Sequence, residues 1–237
     1  MKRKISKLAI AAAIIAAVLI GIGEFGGSAS GVAWSQVAAK VQATSGLILR
    51  IKETGSVSPG DDDYAIKYFS PAGSRTDAYK DGKITHSRCS NFETMTSTAV
   101  FHSTKRYFSH QYKESSEGFL EKDEDWTNPK YLVQQIVSAE HKALGPKTVD
   151  GVLCEGLETS DPAVMGPLKD MVDSLEVHME LWVDTQTQYP VRFEGKITAQ
   201  ADGETLTSQC VMDQFQWDVE LDPSLFEPNI PPDYEQM

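Results

Sequence analysis

Cysteine is scarce in this 237-residue chain, which contains only three. Cys89, Cys154 and Cys210 lie far apart, and each of the three possible pairings would leave one thiol over. Their spacing does not resemble the disulfide framework of a small secreted domain. We therefore expect them to be mostly small, buried thiols within strands.

The sequence also lacks the short motifs of the common enzyme classes. It has no nucleophile elbow, zinc-protease motif, phosphate loop or dinucleotide fingerprint. On a strand, His86 and Cys89 point to opposite faces and make a poor metal pair. His102 and His110 are on adjoining predicted strands and are expected to be able to approach each other, but two imidazoles are too few for a metal site. We predict no catalytic residues, no metal and no cofactor.

Positive charge is in short supply as well. The chain has 22 Lys and Arg against 34 Asp and Glu, a net charge of −12. Four of the basic residues and one acidic residue lie within the first 30 positions, so the remainder is more acidic still. Such a domain is expected to repel polyanions. Nucleic acid is therefore not a predicted partner, and anionic lipid headgroups are disfavoured.

Long apolar runs are rare, and the longest covers residues 8–23, behind a basic flank at residues 1–7. This arrangement is typical of an export signal, and its length lies between a cleaved signal and a membrane-spanning helix. We predict a retained single-pass anchor in the cell membrane, followed by a linker at residues 24–31 and an extracytoplasmic domain at residues 32–237. Cleavage near Ser30 and release into the periplasm is the alternative.

Residues 175–197 alternate between apolar and polar side chains on both sides of a polar break at residues 185–188. The pattern predicts a long antiparallel hairpin with one apolar face and one solvent face, and Trp182 falls on the solvent face. Alternation alone favours the ordinary interpretation, in which the apolar face packs in a core. The predicted apolar face consists of Leu175, Val177, Met179, Leu181, Val183, Val191, Phe193 and Ile197.

Two helices are predicted among about ten strands, and residues 161–174 are predicted to form either a third, short helix or a loop. Apolar residues follow helical spacing between Val32 and Gly46, and again at residues 129–144, where Asn128 supplies a cap and Pro129 suits the first turn. Most of the strands are joined by tight turns, and the Asp-Gly pairs at residues 81–82 and 150–151 are strong hairpin signals.

In this organisation the chain resembles a known superfamily, the lipoprotein-carrier-like proteins LolA, LolB and the periplasmic sensor RseB. An export signal, a leading helix, a meander of hairpins and a helix inserted at residues 129–144 occur in the family's order. The segment LWVDTQTQYPVRFEGKI, residues 181–197, is similar to a recurrent hairpin of the family. The ending FQWDVELDPSLFEPNIP, residues 215–231, is similar to the family's final strand and Pro-bearing tail.

The resemblance implies a mainly β, α+β fold, an unclosed antiparallel β-barrel with helices covering its concave face. An unclosed barrel can accept an acyl chain or an apolar peptide segment on that face. The leading helix and the hairpin are expected to border such a cavity. The hypothetical lining residues are Trp34, Met179, Leu181, Val191 and Phe193.

Three hypotheses about function remain open. The first is a membrane-tethered protein that binds a lipid or the acyl chain of a lipoprotein. The second is a regulatory sensor that binds a membrane protein of the anti-sigma type. The third is a structural envelope domain with a filled core. A retained anchor would prevent the protein from shuttling between membranes. Under the first two hypotheses, the tethered protein is therefore expected to act as a local chaperone or a sensor and not as a mobile carrier.

Overall fold

The architecture was analysed in a computed structural model that describes residues 32–56, 62–112, 128–201 and 203–237. The predicted basic flank, anchor and linker lie outside this part of the chain. Residues 32–237 form one compact unit. Within the described ranges, no helix has the length and apolar content needed to cross a bilayer.

Two α-helices and twelve strands make up the regular structure of the described residues. Helix α1 is Trp34–Ala43 and helix α2 is Pro129–Ser138. Short 3-10 segments occupy Pro162–Asp170 and Pro223–Phe226. The strands are β1 (Leu47–Gly55), β2 (Tyr64–Ser70), β3 (Gly73–Lys80), β4 (Lys83–Asn91), β5 (Thr96–Phe101), β6 (Arg106–Gln111), β7 (Lys142–Val149), β8 (Val152–Thr159), β9 (Ser174–Asp184), β10 (Pro190–Ala201), β11 (Glu204–Trp217) and β12 (Glu235–Gln236).

All twelve strands belong to one open sheet, in the order β12-β6-β5-β4-β3-β2-β1-β11-β10-β9-β8-β7. Neighbouring strands are antiparallel except β12, which pairs in parallel with β6. The two edge strands, β12 and β7, do not pair with each other, so the barrel is unclosed. The predicted open, mainly β architecture is confirmed. The strand count exceeds the predicted ten because, among other additions, the Pro-rich tail contributes the short strand β12.

The two Asp-Gly pairs form the predicted hairpin turns. Asp81 and Gly82 have positive φ values of 51° and 71°, and Asp150 and Gly151 have values of 49° and 85°. Positive φ at both central residues is the requirement of a type I′ turn, whose twist matches that of the flanking strands. These turns set the registers of the β3–β4 and β7–β8 hairpins.

Helix α2 is shorter than predicted. The side chain of Asn128 accepts a hydrogen bond from the backbone N–H of Lys130 at 3.0 Å, which confirms the predicted cap. The helix ends at Ser138, however, and the carbonyl oxygen of Glu140 accepts a hydrogen bond from Thr159 Oγ1 at 2.7 Å. Leu144, at the end of the predicted helical range 129–144, lies in β7 instead. Leu144 lies about two helical turns after Val137, the last apolar residue of the helix. Helical spacing alone therefore did not distinguish a continued helix from a following strand.

Both helices lie on one face of the sheet, here called the inner face. Val37 and Val41 of α1 and Leu132 and Ile136 of α2 are fully buried there. They pack with the apolar side chains of the central strands in one cluster. Those partners are Leu47, Leu49, Ile51, Leu157, Val177, Met179, Leu181, Val183, Phe193, Ile197, Cys210 and Met212.

The opposite, outer face carries a small second cluster, and here the sequence prediction was wrong. Trp182, assigned to the solvent face, is buried with Val149 and Cys154. Val191, assigned to the inner face, packs against the same outer cluster. The register between β9 and β10 shifts between Pro190 and Arg192, so one extra residue of β10 reverses the alternation at Val191.

The C-terminal segment lies on the outer face of the other half of the sheet. Phe226 is 1% exposed, and its side chain occupies the space that a Cβ on Gly73 would need. Arg75 donates to the carbonyl oxygen of Leu225 at 3.2 Å. His102 Nδ1 lies 3.0 Å from the hydroxyl of Tyr234, which connects the tail to the β5–β6 turn.

The outer cluster can be tested at Gly156. An added Cβ would lie 2.7–2.9 Å from three ring carbons of Trp182. We expect Gly156→Ala to lower the free energy of unfolding by about 1–3 kcal/mol, because the indole is buried and cannot move aside freely. Urea denaturation measures the change.

The control is a double-mutant cycle with Trp182→Phe, whose smaller ring does not reach the clashing position. We expect the alanine to cost much less in the Trp182→Phe background. Equal costs in both backgrounds would show that the ring is not the obstacle.

Candidate functional site

The strand register brings three of the predicted lining residues together on the inner face. Phe193 of β10 lies directly opposite Leu181 of β9 on one side and Met212 of β11 on the other. Met179 follows on the same face of β9, and all four side chains are at most 3% exposed. Directly opposed inner-face side chains on adjacent strands are within contact distance. The hairpin therefore presents a continuous apolar surface beneath the helices.

Trp34 lies at the start of α1 and is half-buried against the same cluster. Val191 is on the outer face and cannot join a site on the inner face. The β10 bulge that moves Val191 outward also turns Pro190 inward, opposite Val183. Pro190 is buried, although the sequence alternation did not select it.

The space between α2 and the hairpin is almost completely filled. The cavity there has a volume of about 10 Å³. This is roughly the space needed for one water molecule, whereas drug-sized ligands occupy roughly 300–1,000 Å³. Every side chain that lines it is apolar: Pro129, Leu132, Val133, Leu181, Pro190, Phe193, Met212 and Phe215.

Aromatic side chains stack at one end of this surface. The rings of Phe215 and Trp217 are 5.3 Å apart, and those of Trp217 and Tyr189 are 5.2 Å apart, with interplanar angles of 7° and 6°. Trp217 Nε1 donates to the carbonyl oxygen of Pro190 at 2.9 Å. The ammonium of Lys40 on α1 lies 4.2 Å from the ring centre of Tyr189. These contacts join α1 to β10 and β11.

A polar contact links the two helices. Lys130 Nζ donates to the carbonyl oxygens of Gln42 and Thr44 at 3.3 and 2.5 Å. In the reverse direction, Gln42 Nε2 donates to the carbonyl oxygen of Lys130 at 3.0 Å. The C-terminal carbonyls of α1 are thus satisfied by a side chain from α2. We call this arrangement the helix latch.

The cysteines are unpaired and buried in β4, β8 and β11, as predicted. Burial raises the pKa of each thiol, most strongly for Cys210, which faces the core. Raised pKa values reduce the thiolate population, and thiolates are the reactive form. None of the three is therefore placed to act as a nucleophile.

The histidines do not assemble a site. The prediction that His102 and His110 can approach each other is wrong, because Phe101 pairs with Arg106 and the register then places His110 opposite Ser97. His102 instead contacts Ser87 and Tyr234 on the outer face. Among the described residues, no three His, Cys, Asp or Glu side chains are grouped closely enough to hold a metal ion.

Asp184 organises the turn that joins β9 to β10. Its carboxylate accepts hydrogen bonds from the Gln186 N–H at 2.8 Å and from Thr187 Oγ1 at 2.7 Å. Partial burial acts to raise its pKa, but these hydrogen bonds outweigh that effect and hold the pKa below 3.8. The turn in the segment that resembles the family hairpin is therefore stabilised by the ionised form of Asp184.

The contribution of Asp184 depends on pH in a predictable direction. Because its folded pKa is depressed, the stabilisation is present above about pH 4 and is lost as the pH falls through the folded value. We expect Asp184→Asn to reduce the free energy of unfolding by about 1 kcal/mol near pH 6. Urea titrations at about pH 6 and pH 2.5 should show this difference shrinking in acid.

The exposed Asp170→Asn variant is the control, and it should behave like the original protein at both pH values. A deficit for Asp184→Asn that is unchanged in acid would contradict a role for its ionised form.

No protein-family model and no curated protein matches the sequence. The crystal structure of the Mycobacterium tuberculosis lipoprotein LppX matches with a TM-score of 0.50 and 11% sequence identity. The match covers 80% of this chain and 95% of LppX. At such low identity the similarity concerns the fold alone.

Two further structures match with lower scores. A LolA-superfamily protein of Nitrosomonas europaea has a TM-score of 0.33 at 10% identity, over 82% of this chain and 97% of that protein. A putative outer-membrane lipoprotein-sorting domain of Vibrio parahaemolyticus has 0.32 at 10% identity, over 82% and 96%. With its open sheet and its two inner helices, the chain shares the fold of LppX, and this fold agrees with the unclosed barrel that the sequence resemblance predicted.

Proposed function

We propose that this protein is an extracytoplasmic lipid-binding or lipoprotein-binding protein, and that the acyl chain is held between α2 and the β9–β10 hairpin. The observation that carries the proposal is the wholly apolar lining between these elements. A surface without hydrogen-bonding groups suits a hydrocarbon chain, whereas a polar ligand would lose its hydrogen bonds to water there without replacing them. The shared fold with the lipoprotein LppX is consistent with this function.

Binding requires α2 to move, because the present cavity has a volume of only about 10 Å³. Exposing Leu132, Val133 and Ile136 would cost about 2 kcal/mol each, or about 6 kcal/mol together. An acyl chain that takes their place gains about 0.8 kcal/mol for each methylene it buries. About eight buried methylenes therefore offset the opening, so long chains should bind and short chains should not.

The proposed location outside the cytoplasm depends on the N-terminal segment. The basic flank and the apolar run at residues 8–23 are those of an export signal. We propose that the run is retained and that the protein is tethered to the membrane. Ligand would then be taken from or given to the same membrane.

The small volume of the cavity supports a second candidate function. If α2 never leaves the sheet, the inner face is an ordinary core and the protein is a structural envelope domain. The buried side chains of α2 have the low exposures of a well-packed interior. The two functions differ in one measurable property, which is whether the domain takes up a lipid.

Native mass spectrometry of residues 32–237, exported and purified without detergent, tests the proposal. We expect a bound mass that organic extraction removes and identifies as a lipid. Saturated fatty acids of graded length should then bind the extracted protein only above about eight carbons. A clean apo mass, together with no uptake of a fluorescent C16 fatty acid, would favour the filled core.

The position of the site is tested by Phe193→Leu. This side chain lines the space beneath α2, and we expect the variant to bind a C16 fatty acid about fivefold more weakly, equivalent to ~1 kcal/mol. Fluorescence titration measures affinity, and urea denaturation confirms that the protein remains folded. The matched control is Val191→Ala on the outer face, which should leave the affinity unchanged. Equal affinities of the folded Phe193→Leu variant and the original protein would remove Phe193 from the site.

The movement of α2 is tested at the helix latch. Lys130→Met removes the hydrogen bonds to Gln42 and Thr44 and keeps the length of the side chain. We expect fatty acid uptake to accelerate about tenfold in stopped-flow fluorescence, since the loss of two charge-assisted hydrogen bonds lowers the barrier to opening. Lys142→Met, at an exposed position of β7, is the control. An unchanged rate would show that α2 does not separate from α1 during uptake.

A further inference from the structure

The two helices cover only one half of the inner face. On the half formed by β4, β5 and β6, Arg88, Arg106 and His110 are exposed, and 49% of the Phe108 surface is accessible. The outer face of this region is partly covered by the C-terminal segment around Phe226. A large exposed aromatic side chain on an uncovered sheet surface is a feature of interaction sites.

The strand registers arrange this surface around a small residue. Ala99 on β5 has Arg88 opposite it on β4 and Phe108 opposite it on β6. Two residues further along β5, Phe101 lies between His86 on β4 and Arg106 on β6. We call the resulting surface the basic face. It consists of His86, Arg88, Ser90, Ser97, Ala99, Phe101, Arg106, Phe108 and His110.

The charge of the basic face is opposite to that of the protein. Its strands supply two guanidinium groups and two imidazoles and no carboxylate, although acidic residues outnumber basic ones 34 to 22 in the chain. Neither Arg88 nor Arg106 forms an ion pair with another described residue. A described carboxylate, that of Asp62, lies at the edge of the face, with its Oδ2 3.6 Å from His86 Nδ1.

This pattern favours an anion at close range. The acidic remainder of the domain repels anions from a distance, but its effect is screened beyond about 8 Å at physiological salt. Within the basic face, the guanidinium groups are suited to phosphate oxygens, which they bind with several N–H donors at once. A net negative charge therefore does not exclude an anionic ligand at this surface, which revises the expectation drawn from composition.

Aromatic rings adjoin the two arginines. The His86 and Phe101 rings are 6.1 Å apart, and the Phe108 and His110 rings are 6.4 Å apart and nearly parallel. These rings and Ala99 form an apolar area beside the guanidinium groups. A ligand with a phosphate and an adjoining hydrocarbon part would satisfy both kinds of surface. A bare inorganic anion would leave the rings exposed.

We propose that the basic face binds the headgroup phosphate of an anionic phospholipid, with Phe101 and Phe108 against the adjoining part of its acyl chains. This inference rests on the proposed lipid-binding function and names the ligand class. Arg88 and Arg106 contact the phosphate. Neutral phospholipids bind more weakly, because their headgroup offsets the phosphate charge.

The test compares dihexanoyl phosphatidylglycerol with dihexanoyl phosphatidylcholine below their micelle concentrations. The full chain is exported and kept intact in a non-ionic amphipathic polymer, and calorimetry measures both affinities. We expect about tenfold tighter binding of the phosphatidylglycerol, a preference that charge-assisted hydrogen bonds can supply. The Arg88→Gln/Arg106→Gln double variant should lose this preference and bind both lipids equally.

The matched control is Lys52→Gln/Lys196→Gln, which removes the same charge from exposed positions on the outer face. It should retain the preference, and circular dichroism should show both variants folded. The proposal is wrong if the original protein binds both lipids equally or if the arginine variant keeps the preference. It is also wrong if a Leu- and Glu-containing peptide, and not the phospholipid, shows the arginine dependence, since the face then takes protein segments.

This design distinguishes a failure of the headgroup proposal from a failure of the lipid-binding proposal. Equal binding of both lipids, with uptake of a C16 fatty acid retained, overturns the headgroup assignment and leaves lipid binding intact. Absence of phospholipid binding and of fatty acid uptake overturns both.

Discussion

The pairing of β1 with β11 is the interaction on which the rest of the structure depends. It joins a meander of strands β1–β6 to a second meander, β7–β11, and so makes a single sheet. Leu47 lies opposite Trp217, a contact between distant parts of the chain. Such long-range pairing is costly in loop-closure entropy and must be stabilised by what is buried when it forms. Here the stabilisation comes from burial of the apolar cluster on the inner face, to which β1 and β11 both contribute.

A polar contact on the outer face supports this junction. Arg50 of β1 donates two hydrogen bonds to the carboxylate of Asp213 on β11, at 2.8 and 2.7 Å. The paired geometry provides more specificity than a single surface ion pair, because both partners must be correctly aligned. It lies next to the bulge at which the register between β1 and β11 shifts after Ile48. The contact thus helps to select one register of the central pair.

The uneven cover of the inner face gives the molecule two different surfaces. Beneath α1 and α2 the sheet is apolar and filled, so the proposed entry of an acyl chain requires α2 to move. On β4–β6 the described side chains of the same face are largely exposed, and they include aromatic and basic residues. The two proposals assign a different chemistry to each surface, hydrocarbon binding to the apolar one and phosphate binding to the cationic one. The proposed acyl-chain site and the proposed headgroup contact therefore both favour an amphiphilic ligand that carries a phosphate group.

The sequence by itself determined those features of the structure that depend on local chemistry. The Asp-Gly turns, the Asn128 cap, the buried thiols and the alternation that places Met179, Leu181 and Phe193 on one face all follow from short-range rules about φ, hydrogen bonds and periodicity. Tertiary structure decided the rest. A one-residue bulge places Val191 on the outer face and Pro190 on the inner face. Leu144 belongs to strand β7 and not to the predicted helix. The basic face arises only when β4, β5 and β6 are placed in register, because residues far apart in sequence then share one surface.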